Sequence, residues 1–201
     1  MTRTLLNRSR KTTIPAFVFS LVATSVAYGN TTAMRTTGIT TQPIGHHTFC
    51  KALPQECKRN RAVSPEQMTD ARWAALHQIN AKVNDAIVPK TDMEIWGINE
   101  LWSYPETVGD CEDYVLLKRH LLQQAGFSPA NLLITVVRQE NGDGHAVLTV
   151  RTSEGDVVLD NLQNEIRSWR MTEYRYLKRQ TPEHSGRWED IADSRTLIAS
   201  N

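Results

Sequence analysis

The sequence has no surplus of charge of either sign: 23 lysines and arginines stand against 22 aspartates and glutamates, for a formal net charge of +1. The two signs are mixed along the chain. There is no basic stripe or tail that could neutralise phosphates, so nucleic acid is excluded as a partner class. No apolar run reaches the roughly 20 residues that a membrane-spanning helix needs, and no internal repeat is present. Cysteine is scarce, with three in 201 residues, so they cannot all pair within one chain. Ordinary apolar content and medium length point to one globular domain.

The N-terminus has its own pattern. Arg3, Arg8, Arg10 and Lys11 precede an apolar stretch, IPAFVFSLVATSVA from Ile14 to Ala27, which ends in small residues. This reads as a secretory signal over residues 1–29. Cleavage after Ala27, Gly29 or Ala33 would each satisfy the small-residue preference, and the mature protein is expected to be periplasmic or secreted, with no stable membrane insertion. Export makes the cysteine count informative, because disulfides persist outside the cytoplasm. Cys50 and Cys57 in FCKALPQECKRN are close enough to pair; closing so small a loop is worth roughly 2 to 3 kcal/mol on the chain-entropy model. Their spacing is not a redox C-x-x-C, and no histidine is placed to complete a zinc site with them. Cys111 is the thiol left over.

Residues 30–45 are rich in Thr and Gly without periodicity and read as a flexible leader. A helix is expected from Ser64-Pro65-Glu66-Gln67, a capping-box pattern, with Met68, Leu76, Ile79, Val83 and Ile87 on one apolar face and Pro89 as its stop. Lys90 to Val108 has no clean period. Its Trp96, Trp102 and Tyr104 line a cleft or cover the core, and the sequence does not choose between these. A second helix runs from about Cys111 to Ala125, with Asp110 as N-cap, Asp113 reaching back to it and Gly126 as the stop. The period then changes to that of strands over Leu132–Arg138, His145–Arg151 and Val157–Asp160, with turns at Gly142-Asp143-Gly144 and Ser153-Glu154-Gly155. Another strand carries Tyr174 and Tyr176. From Thr181 the chain turns polar and reads as fraying. Helices followed by an antiparallel meander predict an α+β domain over residues 46–190, with a polar tail at 191–201.

Cysteine catalysis needs a thiol, a base to take and return its proton, and a group that orients the base. Cys111 sits at a helix start, where backbone N–H groups and the helix dipole favour a thiolate. His145 opens a strand after a glycine-rich turn, and Asp160 closes the next. The index sum of 145 and 160 is odd, so both can face one side of the hairpin. A turn at Glu154-Gly155 would nonetheless leave them four residues apart, on the order of 13 Å, so a bulge or an earlier turn is required. The other histidines are worse placed: His46 and His47 lie in or beside the leader, His77 and His120 on helices, and His184 in the polar segment.

These residues also carry a family resemblance. GDCEDYVLLKR, LLITVVRQENGDGHAVLTVRT and GDVVLDNL resemble the motifs of the bacterial transglutaminase-like cysteine proteinases, a branch of the papain-like transglutaminase superfamily, and the likeness runs from about Phe49 to Trp188. It implies a papain-like/transglutaminase-like core with the nucleophile at a helix start packed on an antiparallel sheet. By that resemblance Cys111 is the nucleophile, His145 the general base and acid, and Asp160 the residue that fixes the histidine tautomer. One branch of the family comprises periplasmic proteases that clip surface adhesins, which implies a protein or peptide substrate and points to cell-surface proteins as a class of it.

Asp110, Glu112 and Asp113 pose a conflict, because acids beside a thiol raise the pKa that the helix end lowers. Calcium would resolve it, and the resemblance implies that Asp110 and Glu112, which flank the nucleophile, bind this ion. The alternative is that Asp110 only caps the helix and Glu112 and Asp113 only favour its positive end. The bond-breaking chemistry itself requires no cofactor. Two rivals stand beside an amide hydrolase: an acyl transferase in which an amine intercepts the acyl-enzyme, and a non-catalytic calcium- or peptide-binding module of the same fold.

Overall fold

The computed structural model describes residues 32–193, together with Met1. The expected signal peptide otherwise lies outside the described residues, as do residues 194–201. No helix among the described residues is long and apolar enough to cross a membrane.

In chain order the elements are β1 (Thr36–Thr40), α1 (Ile44–Ala52), α2 (Asp70–Ala86), β2 (Val88–Pro89), α3 (Asp92–Trp96), β3 (Val108–Gly109), α4 (Cys111–Gln124), β4 (Leu132–Arg138), β5 (Gly144–Thr152), β6 (Gly155–Leu159), β7 (Arg167–Ser168), β8 (Arg175–Thr181) and β9 (His184–Ile191). Seven strands form one antiparallel sheet in the order β1-β9-β8-β4-β5-β6-β7. The two-residue strands β2 and β3 pair separately, in parallel. Alternation decides which residues face the helices. Leu132 and Ile134 of β4 and Ala146, Leu148 and Val150 of β5 join Leu76 of α2 and Val115, Leu116 and Leu122 of α4 in the main core. Val137, Val147, Val158 and Tyr176 point the other way, where Met34, Trp169 and Ile191 cover them. This is the α+β arrangement the sequence implied, and burial on both faces explains why the central strands read as near-continuous apolar runs.

Tertiary contacts changed several local expectations. α2 begins at Asp70, where Thr69 Oγ1 accepts from Arg72 N–H at 3.2 Å, rather than at Ser64. The expected capping segment is extended instead: Glu66 N–H donates to Arg151 O, Ser153 N–H donates to Glu66 O, and the Glu66 carboxylate accepts from Ser128 N–H. Residues 36–40, expected to belong to a flexible leader, form the edge strand β1, and α1 opens at Ile44. A threonine-rich stretch suits a strand once β9 supplies backbone partners. The segment expected to fray from Thr181 is β9, whose Trp188 and Ile191 are buried. The end of α4 follows the sequence closely. Gly126 takes φ 84°, its N–H donates to Gln123 O, and Phe127 N–H reaches back to Leu122 O, which closes a Schellman-type stop.

Candidate active site

The β5–β6 hairpin places the histidine and the aspartate. Thr152 pairs with Gly155 and Leu148 with Leu159, so the turn is Ser153-Glu154, one residue earlier than the strongest turn signal. Thr152 Oγ1 holds it by donating to Gly155 O at 2.6 Å and accepting from Glu154 N–H at 3.1 Å, while Gly155 supplies a φ of 117°. In that register Asp160, the first residue beyond β6, falls beside Val147. It is two residues from His145, about 7 Å along the strand, which two side chains on one face can span. His145 Nε2 donates to Asp160 Oδ1 at 2.8 Å, and both groups are buried. Since Asp160 is the acceptor, the ring proton is assigned to Nε2, and Nδ1 keeps the basic lone pair.

Asp160 has further partners. Leu162 N–H donates to Oδ1 at 3.0 Å, Tyr174 O–H donates to Oδ2 at 2.5 Å, and Asn84 Nδ2 donates to the Asp160 carbonyl at 2.9 Å. Burial alone would push this carboxyl up, but the His145 bond and charge, with Tyr174 and Leu162, outweigh it and hold Asp160 below the usual carboxylate range. Lys118 of α4 is fully buried, and its Nζ has no hydrogen-bond partner among the described residues. Burial lowers its pKa to about 7, against the pull of Asp160.

Cys111 and His145 line one cleft of about 370 Å³, together with Pro43, Glu100, Trp102, Glu112, Val136, Gly144, Ala146 and Lys178. The chain can close around this cleft because Gly45 has no side chain: a Cβ there would lie 2.3 Å from Trp102 Cδ1. Cys111 is the first residue of α4. Its Sγ donates to Glu112 Oε2 at 3.0 Å, and among the described residues it makes no hydrogen bond to the imidazole. Burial, then the Glu112 charge and hydrogen bond, push the thiol well above its ordinary pKa, and the Ala146 N–H offsets only part of this. The helix end does not lower the thiol pKa here, as the sequence had suggested; desolvation and the adjacent acids outweigh it.

Asp110 belongs to a cluster of acids shared between α3 and the start of α4. Asp92 at the start of α3, Asp110 before α4 and Asp113 in its first turn each bring a carboxylate oxygen within 4.8 Å of the others. Asp92 accepts from Leu101 N–H, and Asp113 Oδ1 accepts from Ser103 N–H at 2.8 Å, so the two carboxylates tie the 97–103 segment to α3 and α4. Asp113 therefore does not reach back to Asp110, and Asp110 makes no side-chain cap bond. Gly109 permits the approach, since a Cβ there would lie 2.9 Å from Asp113 Cβ. Burial is the first cause of a raised pKa at Asp110, at Glu112 and at Asp113, which reaches about 7; neighbouring acids add to it. Of the two acids read from sequence as calcium ligands, Asp110 belongs to this cluster, whereas Glu112 turns its Oε2 to the thiol. Asp92 and Asp113 were not read from sequence as candidate ligands: Asp92 lies in an aperiodic segment, and Asp113 reads equally well as a capping residue.

Cys50 and Cys57 are bonded to each other. His46, which the sequence placed outside any site, lies against both sulfurs and the Trp188 and Trp102 rings. Burial, with Arg119 nearby, lowers its pKa to about 3, so it is a neutral core histidine.

A family model described as bacterial transglutaminase-like cysteine proteinase (BTLCP) matches residues 36–196. Among solved structures, Legionella pneumophila LapG is similar at 26% identity and a TM-score of 0.50, covering 62% of this chain and 71% of that one. Its EGTA-treated form is similar at 25% and 0.50, covering 63% and 74%. The calcium-bound form gives 25% and 0.47, covering 53% and 64%, so the match spans between 64% and 74% of the LapG chain. No curated protein sequence matches.

Proposed function

Since this chain belongs to the bacterial transglutaminase-like cysteine proteinases, we propose that it hydrolyses amide bonds of a protein substrate through Cys111, His145 and Asp160. The observation that carries this reading is the buried 2.8 Å bond from His145 Nε2 to Asp160, with the other face of the imidazole and the thiol on the walls of one cleft. His145 Nδ1 takes the thiol proton as Sγ attacks the amide carbonyl. The imidazolium returns that proton to the leaving amine as the C–N bond breaks. Water, deprotonated by the same nitrogen, then releases the acid from the acyl-enzyme and restores the thiol. Asp160 holds the proton on Nε2 and stabilises the imidazolium. The Cys111 backbone N–H is the first oxyanion donor. Of the 102–104 segment, only Trp102 faces the cleft, because Ser103 bonds Asp113 and the Tyr104 ring packs on Phe49 and His120; the single indole N–H of Trp102 donates to Glu100 Oε1 at 2.8 Å, so it would serve as the second oxyanion donor only once released from Glu100.

Calcium fits the acid cluster. Asp92 Oδ1 and Asp110 Oδ1 are buried without a hydrogen-bond partner among the described residues, and three hard oxygen donors converge there with no cation in hydrogen-bonding reach. Asp92, Asp110 and Asp113 would hold the ion, and its charge would compensate the acids that disfavour the thiolate. Glu112, at the thiol, is the residue through which the charge of the cluster is felt most directly by Sγ. The relatives that process surface adhesins make an exported cell-surface protein the substrate we infer, reached after removal of residues 1–29.

The test compares envelope and secreted proteins, with termini mapped, from cells carrying the native chain and cells carrying Cys111→Ala. New termini present only with the native chain are expected. Identical termini in both would overturn the reading, and new termini blocked by an added primary amine would reassign it to acyl transfer.

A further inference from the structure

The proposed mechanism uses the thiol, the imidazole and the carboxylate, but leaves unused a phenol on the far side of that carboxylate. Tyr174, immediately before β8, donates its hydroxyl to Asp160 Oδ2 at 2.5 Å, and its ring centroid lies 5.5 Å from that of His145, tilted by 57°. The opposite oxygen, Oδ1, accepts from both His145 Nε2 and Leu162 N–H. We propose that Tyr174 is a positioning residue for the triad, pinning Asp160 so that Oδ1 faces Nε2 and shielding the His145–Asp160 pair from water. This inference rests on the triad reading above.

A carboxylate torsion is broad and nearly two-fold, so an aspartate with one partner can exchange its oxygens and loosen its hold on an imidazole. Donors on both oxygens remove that freedom, and a hydroxyl donating to an ionised acceptor is among the stronger hydrogen bonds. The place of the phenol matters as well. Asp160 and Tyr174 both line a second cavity, of about 360 Å³, which shares no wall residue with the Cys111 cleft and has Gln139, Glu140 and Glu173 among its other walls. Without the hydroxyl, water in that cavity would have direct access to Oδ2 and would compete for the charge that keeps the proton on Nε2. Burial and the Asp160 bond and charge push the Tyr174 phenol far above its ordinary range, so it remains a donor wherever a cysteine hydrolase works. A purely structural role, stapling the start of β8 to the 160–162 turn, would change melting but not the state of the histidine.

The experiment uses the mature chain. Its one free thiol, Cys111, is alkylated with iodoacetamide and followed by mass spectrometry, while His145 tautomers are read by ¹⁵N NMR. Tyr174→Phe keeps the ring and removes the hydroxyl. At pH 7 it should slow alkylation about tenfold, the worth of one hydrogen bond to a charged group, and lower the fraction of His145 carrying its proton on Nε2. An unchanged rate and tautomer ratio in a folded variant would overturn the proposal. Should Tyr174→Phe not fold, 3-fluorotyrosine at position 174 serves instead, being a stronger donor of nearly the same size; the Nε2–H resonance should move downfield, and a resonance that stays put would sink the idea. His145→Ala separates the two levels. If it leaves alkylation untouched, the triad reading fails, while the tautomer signal still decides whether Tyr174 positions His145.

Discussion

Calcium affinity should depend on pH with a slope set by the buried acids, and Asp113 allows that slope to be worked out. Its carboxyl is nearly inaccessible, and burial raises its pKa from the ordinary 3.8 to about 7. Below about pH 7, each ion bound must expel that proton, so apparent affinity should strengthen about tenfold per pH unit. Between pH 5 and pH 7, where the group is half ionised, the gain is roughly fiftyfold, or about 2.3 kcal/mol, for Asp113 alone. Asp110 and Glu112 shift in the same direction and can only steepen the dependence. The same shift acts on stability without the ion. A carboxyl whose folded pKa is raised contributes stability that is complete below its unfolded pKa, near 4, and is lost as pH rises through its folded pKa near 7, on the order of 4 kcal/mol for Asp113. Melting curves at pH 5, 6 and 7, each in EGTA and in buffered calcium, measure both effects. The difference between paired curves is the quantity to use, because His46 and Lys118 titrate in both members of a pair and cancel. The calcium-dependent rise in Tm should grow with pH, and Asp113→Asn should flatten it. A calcium effect independent of pH, or one that keeps its slope in Asp113→Asn, would refute the assignment of the ion to this cluster.

Glu112→Gln removes the carboxylate charge that holds the Cys111 thiol protonated and leaves only a neutral amide acceptor, so iodoacetamide labelling in EGTA above the raised Glu112 pKa of about 8 should accelerate several-fold; slower labelling would show that Glu112 does not hold the thiol down. Lys118 has a folded pKa near 7 against an unfolded value of 10.5. The native stability should therefore rise with pH across that window, and below it Lys118→Met should stabilise by about 2 to 5 kcal/mol in urea melts, with the advantage shrinking toward pH 10. An advantage that does not depend on pH would mean that the ammonium is solvated. Signal cleavage after Ala33 would remove Thr32, whose carbonyl accepts from Trp169 Nε1 at 2.7 Å and whose hydroxyl donates to Glu154 O at 2.9 Å. The intact mass of the exported protein should therefore match cleavage after Ala27 or Gly29, and a chain starting at Met34 would contradict this.

Local sequence carried the features whose physics is local. The α4 stop at Gly126, the glycine-rich β4–β5 turn and the short apolar runs of the central strands depend on residues a few positions apart, and each was legible. The α2 start was not, because Ser64 and Glu66 found backbone and side-chain partners near Arg151 and Ser128 that a one-dimensional pattern does not contain. β1 and β9 were missed for a related reason. They are polar sequences that become strands only where another strand supplies the hydrogen bonds.

The sequence by itself determined the chemistry available: one unpaired thiol after two cysteines bond, a histidine at a strand start, an aspartate at a strand end, and acids beside that thiol. Residue identity sets pKa class, nucleophilicity and ligand hardness whatever the fold. Tertiary structure alone decided how those groups meet. A one-residue difference in the turn brought Asp160 within reach of His145, and burial reversed the expected effect of the helix end on Cys111. Asp92, from a distant loop, joined Asp110 and Asp113 while Glu112 turned to the sulfur, because charge and desolvation depend on distances that only the folded chain sets.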